Sequence, residues 1–256
     1  MSPLVPLRDT QASILAAVPT LEPISVEFTD ALGLVLAAPV LAREAVPPFA
    51  NTAMDGYAVR SADTTAAGPE ASVRLRVVGE LPAGHAPEVP VTAGEAIRIM
   101  TGAPMPDGAD AVVMVERTAR VDGPDDVIDV HVAVEPGNHV RAAGGDLTVG
   151  QLVFDTGTIL RAAHIGVLAS VGAATVEATR RPRVGVLSTG DELVPLVPGA
   201  APAALAPGQI RDSNRPMLLD LVREAGLEAV DLGVTQDDED RIVCLLYTSP
   251  SPRDRS

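Results

Sequence analysis

Lysine is absent from this 256-residue chain, whose 19 basic residues are all arginine. A lysine nucleophile and a lysine phosphate clamp are therefore excluded for the sequence as it stands. Aromatic residues are scarce, with no tryptophan, two tyrosines and three phenylalanines. Aliphatic side chains must consequently build the core, and a stacking platform for single-stranded nucleic acid is not expected.

Cysteine and long apolar runs are also scarce. The one cysteine, Cys244, excludes an internal disulfide and a cysteine-rich metal site. No apolar run reaches the length that crosses a bilayer, and the segment Met1 to Thr20 lacks the charged start and unbroken apolar core of a signal peptide. A net charge of −15 argues against nucleic acids and anionic membranes as partners. We therefore expect a cytoplasmic protein that binds neither nucleic acid nor membrane.

The N-terminal part of the chain predicts short, mixed elements. Residues 7–18 show the spacing of an amphipathic helix, with Asp9 or Thr10 as its cap. A strand is expected at 25–28, followed by a short helical piece within 31–41 that is broken at Pro39.

From Tyr57 to about Val140 the pattern is that of β-strands. The segment VRLRVV alternates apolar and polar residues, and AIRIM, AVVMVE and VIDVHVAV follow it between Gly- and Pro-rich turns. Short strands at this spacing predict a small β-barrel or β-sandwich.

The pattern changes at Arg183, where VGVLST is a near-continuous apolar run, typical of a strand buried on both faces of a parallel sheet. A helix is expected over 213–225, capped by Asp212 or Ser213, and the strand AVDLGV follows it. This order predicts the opening of a doubly wound α/β fold. The sequence after Arg241, IVCLLYTSPSPRDRS, continues no earlier pattern and predicts an irregular, non-native tail.

Three polar positions in the β region are candidates for chemistry. The segment VPPFANTAMDGYAVR places Asp55 in a tight turn at the start of a strand, where it either closes an Asx-turn or faces a ligand. Thr101, in IMTGAP, either bonds an oxyanion or stabilises its own turn. Asp146, in the Gly-rich segment GNHVRAAGGDLTVG with Arg141, either faces a ligand or fixes the loop.

Acidic residues follow both strands of the expected parallel sheet. The loop STGDEL places Thr189, Gly190, Asp191 and Glu192 beyond the carboxyl end of the first strand, where open α/β sheets bind ligands. The neighbouring pair, Asp237 and Asp238, follows the second strand and is expected at the same edge. Converging carboxylates repel each other unless a cation is present, and Mg²⁺ favours one or two carboxylates plus substrate oxygens. A solvated acidic edge is the alternative.

Together with IRIMTGAPMPDGADAVVMVE and VGVLSTGDEL, the segment around Asp55 resembles the molybdopterin molybdenumtransferase family, whose eukaryotic relative is the gephyrin E domain. The resemblance spans roughly residues 5–241. It implies an enzyme of molybdenum cofactor biosynthesis that inserts molybdate into adenylylated molybdopterin, releases AMP and uses Mg²⁺. It also implies a homodimer, with a molybdopterin adenylyltransferase as a further partner.

The resemblance implies a multidomain α+β architecture with an elongated linker domain. Its expected segments are an N-terminal arm on the α/β domain (1–26), a linker domain (27–48 and 147–179), a β domain (49–146), a partial α/β molybdopterin-binding domain (180–242) and the tail (243–256).

The site residues that the resemblance implies fall into three roles. The catalytic set is Asp55, Thr101 and Glu192; the substrate-binding set is Thr189, Gly190, Asp191 and Asp146; the metal set is Glu192 with Asp237 and Asp238. In the implied dimer, the β domain of one subunit brings its residues to the α/β cleft of the other.

Two departures from the family pattern limit the implied activity. Gly145 stands where members usually have Glu, and the family's SGGVS-type loop, later lysines and C-terminal β-barrel are not encoded here. We therefore expect an inactive fragment of an active parent. The alternative is a non-catalytic, dimerising binding or scaffold module of the same fold.

Overall fold

The computed structural model describes residues 5–199 and 201–248, and of residues 246–248 only the backbone. Its helices are α1 (Leu7–Ala17), α2 (Ala162–Ser170), α3 (Asn214–Glu224) and α4 (Glu239–Thr248). Its strands are β1 (Pro23–Glu27), β2 (Val35–Leu36), β3 (Val40–Leu41), β4 (Asn51–Thr52), β5 (Gly56–Val59), β6 (Val73–Leu81), β7 (Glu95–Ile99), β8 (Ala111–Met114), β9 (Thr118–Val121), β10 (Val127–Val130), β11 (Val140–Arg141), β12 (Leu152–Phe154), β13 (Thr175–Thr179), β14 (Arg183–Thr189), β15 (Leu193–Val194), β16 (Ile210–Arg211) and β17 (Glu228–Thr235).

The chain divides into two compact units, which we describe separately. The β unit comprises residues 39–155 and 162–175, and the α/β unit comprises the described residues up to 38, 156–161 and those from 176 onward. The strands of the β region and of the STGDEL region lie in different sheets, and the multidomain α+β class expected from the sequence is confirmed. The finer division into four segments and a tail stays a prediction.

A six-stranded sheet in the order β8-β5-β7-β6-β10-β9 forms the centre of the β unit, curled into a half-barrel. Its pairs are antiparallel except β6–β7, which is parallel. Alternating side chains of β5 enter two different apolar clusters: Tyr57 and Val59 join one, and Ala58 joins the other. Both faces of this sheet are therefore covered by side chains of the same unit.

The β unit also contains two short antiparallel ribbons. Strand β3 pairs with β12, and β4 pairs with β11, while an isolated bridge joins Val46 to Leu147. The segment before Asp55 is thereby held against the Gly-rich segment that contains Asp146.

The α/β unit contains the parallel pair predicted from the apolar runs. Strands β14 and β17 run parallel, with Val184 opposite Ala229 and Thr189 opposite Thr235, and α3 packs against both. Strands β15 and β16 form a second parallel pair, and β1, β13 and β2 form a three-stranded sheet. A strand–helix–strand order with parallel pairing confirms the expected α/β arrangement.

The helical piece expected within 31–41 is wrong: this stretch holds β2 and β3. Its amides find partners outside the stretch, because Gly33 donates to Leu160 and Leu36 donates to Thr158 at 2.7 and 2.9 Å. The expected cap of α1 is also wrong. Pro6 precedes the helix, and the Thr10 hydroxyl donates to the Pro6 carbonyl instead of accepting from a helix amide.

The irregular structure expected from residue 243 onward is wrong as far as Thr248, because α4 runs through these residues. Acidic residues in its first turn favour a helix start, and the prolines that would stop it lie only at 250 and 252. Residues 249–256 lie outside the described residues, and the non-native origin of the tail stays a prediction. Within the described chain, we find no helix with the length and apolar content needed to cross a bilayer.

Candidate functional site

The β unit brings together two of the candidates, Asp55 and Thr101. One oxygen of the Asp55 carboxylate, Oδ1, accepts from the Thr101 backbone amide at 2.7 Å and from the Thr101 hydroxyl at 2.6 Å. Both residues are exposed to solvent. The two bonds, and to a smaller extent the charge of Arg98, hold the pKa of Asp55 below its ordinary value against the opposing effect of burial.

The turn that contains Asp55 is fixed by hydrogen bonds within it and to the segment after β8. The Thr52 hydroxyl donates to the Met54 carbonyl at 2.6 Å, and the Asp55 carbonyl accepts from the Val115 amide at 3.2 Å. Gly56 permits the close approach of β5 to β8, because a Cβ there would lie 2.1 Å from the Val113 carbonyl oxygen. The Asx-turn interpretation of Asp55 is therefore not the geometry found, since its carboxylate binds Thr101 in the turn that follows the adjacent strand β7.

Thr101 is fixed from the same strand segment. The Gly102 amide donates to the Thr52 carbonyl at 2.9 Å, and the Thr52 amide donates to the Ala103 carbonyl at 3.1 Å. Arg98, one position before the end of β7, donates to the Gly56 carbonyl at 2.8 Å, and its guanidinium carbon lies 5.2 Å from the centroid of the Tyr57 ring. The Asp55–Thr101 pair thus rests on backbone that is bonded on both sides.

Asp146 lies exposed in a turn of the Gly-rich segment. Its amide donates to the Val46 carbonyl at 2.9 Å, which ties it to the start of the Asp55 segment. Beside it, a Cβ at Gly145 would lie 3.1 Å from the Ala142 carbonyl oxygen, tighter than an ordinary contact. A Cβ at this position, where the family that the sequence resembles usually has Glu, would therefore require the Ala142 carbonyl to shift by a few tenths of an ångström.

In the α/β unit, the backbone brings the two acidic loops to one edge of the parallel pair. The Gly190 amide donates to the Thr235 carbonyl at 3.1 Å, directly past the carboxyl ends of β14 and β17. Thr189, Asp191 and Glu192 are exposed there, whereas Gly190 is buried. The Glu192 side chain lies over Gly190, since a Cβ at Gly190 would approach its Oε2 to 2.7 Å.

In the second loop, Asp237 and Asp238 have different surroundings. Asp238 Oδ1 accepts from the Arg241 amide at 3.0 Å, the contact of a residue that caps the start of α4. Asp237 is exposed at the same edge. Among residues 5–199 and 201–248, no three His, Cys, Asp or Glu side chains are grouped closely enough to hold a metal alone. Mg²⁺ bound by two carboxylates and substrate oxygens needs no such group.

A partly buried charge network that was not expected from the sequence lies behind this edge. Asp212 is 6% exposed, and its carboxylate accepts from the Ser188 hydroxyl at 3.1 Å and from Arg215 Nε at 2.8 Å. Arg215 also donates to the Asp231 carboxylate on β17. Burial opposes ionisation of Asp212, but the Arg215 and Ser188 bonds outweigh it, so that its pKa lies below the ordinary value.

One contact of that network, the capping of α3 by Asp212, was expected from the sequence. Asp212 was one of two expected caps of α3, and it accepts from the Arg215 amide at 3.2 Å, while Ser213 makes no side-chain cap bond. The salt bridge joining Arg215 to Asp231 had no such signal, because it depends on how α3 packs on β17.

Two family profiles match the chain. Residues 5–172 match the MoeA N-terminal region (domain I and II), and residues 185–250 match the probable molybdopterin binding domain. The first match covers Asp55, Thr101 and Asp146, and the second covers the two acidic loops.

Curated relatives and a solved structure show the same likeness. Molybdopterin molybdenumtransferase 2 of Mycobacterium tuberculosis is 44% identical over 216 residues, covering 84% of this chain and 51% of the relative. The molybdopterin molybdenumtransferase of a Nostoc species is 39% identical, covering 93% and 53%. The crystal structure of a molybdopterin biosynthesis MoeA protein from Pyrococcus horikoshii has a TM-score of 0.84 at 34% identity, covering 96% of this chain and 64% of that one. This chain spans about half the length of the curated relatives it matches.

Proposed function

This chain belongs to the MoeA family of molybdenum cofactor biosynthesis proteins, and from that premise we propose a function for the protein that contains it. The proposed reaction inserts molybdate into adenylylated molybdopterin and releases AMP. The observation that carries it is the bond from the Gly190 amide to the Thr235 carbonyl, which joins two acid-bearing loops at the carboxyl ends of parallel strands. Ligands of open α/β sheets bind at that edge.

The α/β edge would hold the phosphate end of the substrate. Thr189 and Asp191 supply an exposed hydroxyl and an exposed carboxylate beside it, and the buried Gly190 forms the turn between them. Glu192 and Asp237 would hold Mg²⁺ against the substrate oxygens, a donor set of two carboxylates that suits this ion. Bound there, the cation would offset the charge of the phosphate oxygens during cleavage of the phosphoanhydride. Asp238 is assigned to the cap of α4 rather than to the metal.

In the proposed homodimer, the β unit of one subunit would supply a second set of groups to the substrate bound by the other. Asp55 is ionised at neutral pH, since its pKa is lowered, and both Thr101 bonds end on its Oδ1. Its Oδ2 is then the atom that would accept a hydrogen bond from substrate, in an orientation set by Thr101. Asp146 would contribute a second carboxylate from the neighbouring turn. The proposal includes a cytoplasmic homodimer and a molybdopterin adenylyltransferase as the source of substrate.

The test measures AMP release from adenylylated molybdopterin with molybdate and Mg²⁺. It uses a protein of the relatives' full length that carries this sequence, alongside the 256-residue chain. Asp55→Asn, Glu192→Gln and Asp237→Asn should each lower the rate by about 10²–10³, the usual loss for one preorganised electrostatic group. Asp238→Asn is the matched control, because asparagine caps helices as well as aspartate does.

The 256-residue chain alone should not turn over, since the SGGVS-type loop and later lysines of the family are not encoded in it. Wild-type rates from Asp55→Asn and Glu192→Gln, or from the chain alone, would show that these roles are wrongly assigned.

A further inference from the structure

Asp212 lies between the end of β16 and the start of α3, behind the loop formed by residues 189–192. Its Oδ1 accepts from the Ser188 hydroxyl at 3.1 Å and from the Arg215 amide at 3.2 Å, and its Oδ2 accepts from Arg215 Nε at 2.8 Å. Ser188 is the residue directly before the loop. One carboxylate therefore connects the strand that enters the loop with the helix packed beneath it.

The other side of the loop is attached to the same residue through the backbone. The Ile210 amide donates to the Glu192 carbonyl at 2.9 Å, and the Asp212 amide donates to the Val194 carbonyl at 3.2 Å. These bonds belong to the parallel β15–β16 pair, whose last paired residue is Arg211, directly before Asp212. The loop is thus held at its start by the Asp212 side chain and at its end by the Asp212 backbone segment.

A helix cap alone does not explain this arrangement. Capping requires one bond to the Arg215 amide, and neutral Ser or Asn side chains provide it without burying a charge. Asp212 instead buries an ionised carboxylate, which is unfavourable unless every bond to it is made. The bonds that remain once the cap is counted lead to Ser188 and to the Arg215 guanidinium.

We propose that Asp212 is a positioning residue that fixes the loop 189–192, because its side chain bonds Ser188 before the loop and its amide bonds Val194 after it. This proposal deepens the function proposed above and rests on it for the role of the loop. Asp212 need not touch substrate; it sets where Gly190 and Glu192 lie.

Amide hydrogen exchange on the 256-residue chain tests the proposal without any ligand. In Asp212→Asn, the new Nδ2 would face Arg215 Nε, donor against donor, and the charge-assisted bond is lost. The amides of Gly190 and Leu193, which donate to Thr235 and Gly190, should exchange on the order of tenfold faster. The amide of Ala37, which follows β2 in the same unit and donates to the Glu177 carbonyl of β13, should keep its rate.

Asp231→Asn is the matched control, because it removes the other carboxylate from Arg215 and leaves Asp212 and Ser188 in place. It should leave Gly190 and Leu193 at wild-type rates. Equal acceleration at Ala37, or the same loop acceleration in Asp231→Asn, would assign Asp212 to the stability of the unit and overturn the proposal. Should Asp212→Asn fail to fold, Ser188→Ala removes one bond alone, and unchanged exchange at Gly190 in that variant overturns the proposal.

The affinity for adenylylated molybdopterin separates this inference from the proposed function. If Asp212→Asn loosens the loop and raises the dissociation constant for adenylylated molybdopterin about tenfold, both the positioning role and the proposed function are supported. A loosened loop with an unchanged dissociation constant supports the positioning role of Asp212 and shows that the substrate does not bind at this loop.

Discussion

Asp55 and Thr101 are 46 positions apart in the chain, yet the Asp55 carboxylate accepts both the amide and the hydroxyl hydrogen of Thr101. The arrangement resembles a capping contact, but it joins the start of β5 to the turn after β7 rather than the end of a helix. It fixes one oxygen of the carboxylate while the residue stays exposed. Thr101 therefore both orients this carboxylate and makes the largest contribution to its lowered pKa.

Replacing Thr101 by Val should raise the pKa of Asp55 toward its ordinary value. The Thr101 hydroxyl is the largest cause of the lowered pKa, and Val removes it while keeping the backbone amide. Thr101→Ser retains the hydroxyl and should leave the pKa low. Carboxyl ¹³C chemical shifts followed against pH measure it, and an unchanged Asp55 titration in Thr101→Val would contradict the assignment.

Gly56→Ala should destabilise the β unit by about 1–3 kcal/mol, the usual effect of forcing extra volume into a packed site. The new Cβ would lie 2.1 Å from the Val113 carbonyl oxygen, so that β5 and β8 must separate. Gly123→Ala is the control, because a Cβ there meets no atom within 4 Å, and it should change stability by less than about 0.5 kcal/mol. Denaturant unfolding compares the two, and equal stabilities would contradict the expected clash.

Asp238→Ala should weaken the start of α4, and Asp238→Asn should not. The Asp238 carboxylate accepts from the Arg241 amide, and loss of such a cap costs about 0.5–2 kcal/mol. Asp237→Ala, one position earlier, should leave the helix unchanged. Exchange of the Arg241 amide measures the effect; a greater loss in Asp237→Ala than in Asp238→Ala would reverse the two assignments.

Acid should destabilise the α/β unit through Asp212 and Asp231, whose pKa values are both lowered in the folded chain. A lowered pKa stabilises the fold above the pKa of unfolded aspartate, about 3.9, and that stability is lost as the pH falls through the lower folded values. Unfolding midpoints should consequently be level near neutral pH and fall below about pH 4. In Asp231→Asn the fall should be smaller, and an identical acid profile would exclude this network as its source.

The parts of the fold that could be predicted from sequence are those set by neighbours in the chain. VGVLST and AVDLGV gave β14 and β17, and Asp212 was one of two expected caps of α3. The parallel pairing of β6 with β7 could not be predicted, since alternation fixes which face a side chain takes and not which strand lies beside it.

The candidate site divides in the same way. Motifs singled out Asp55 and Thr101 separately, but their contact depends on sheet order, which brings β5 beside β7. The expected helix within 31–41 failed because Leu160 and Thr158, far along the chain, accept the amides of Gly33 and Leu36. Propensity is a weak guide where such distant partners decide the backbone.

The two apolar clusters on either face of the β5 sheet also favour one register of β5, because they receive side chains of different size. A slip of β5 by one residue would exchange its faces and drive the Tyr57 ring into the space that Ala58 occupies. The same slip would shift Asp55 along the sheet and away from Thr101. Because the Tyr57 ring is much larger than the Ala58 side chain whose place it would take, the shifted register is disfavoured. Packing in the interior of the β unit thereby determines where the solvent-exposed Asp55 carboxylate lies.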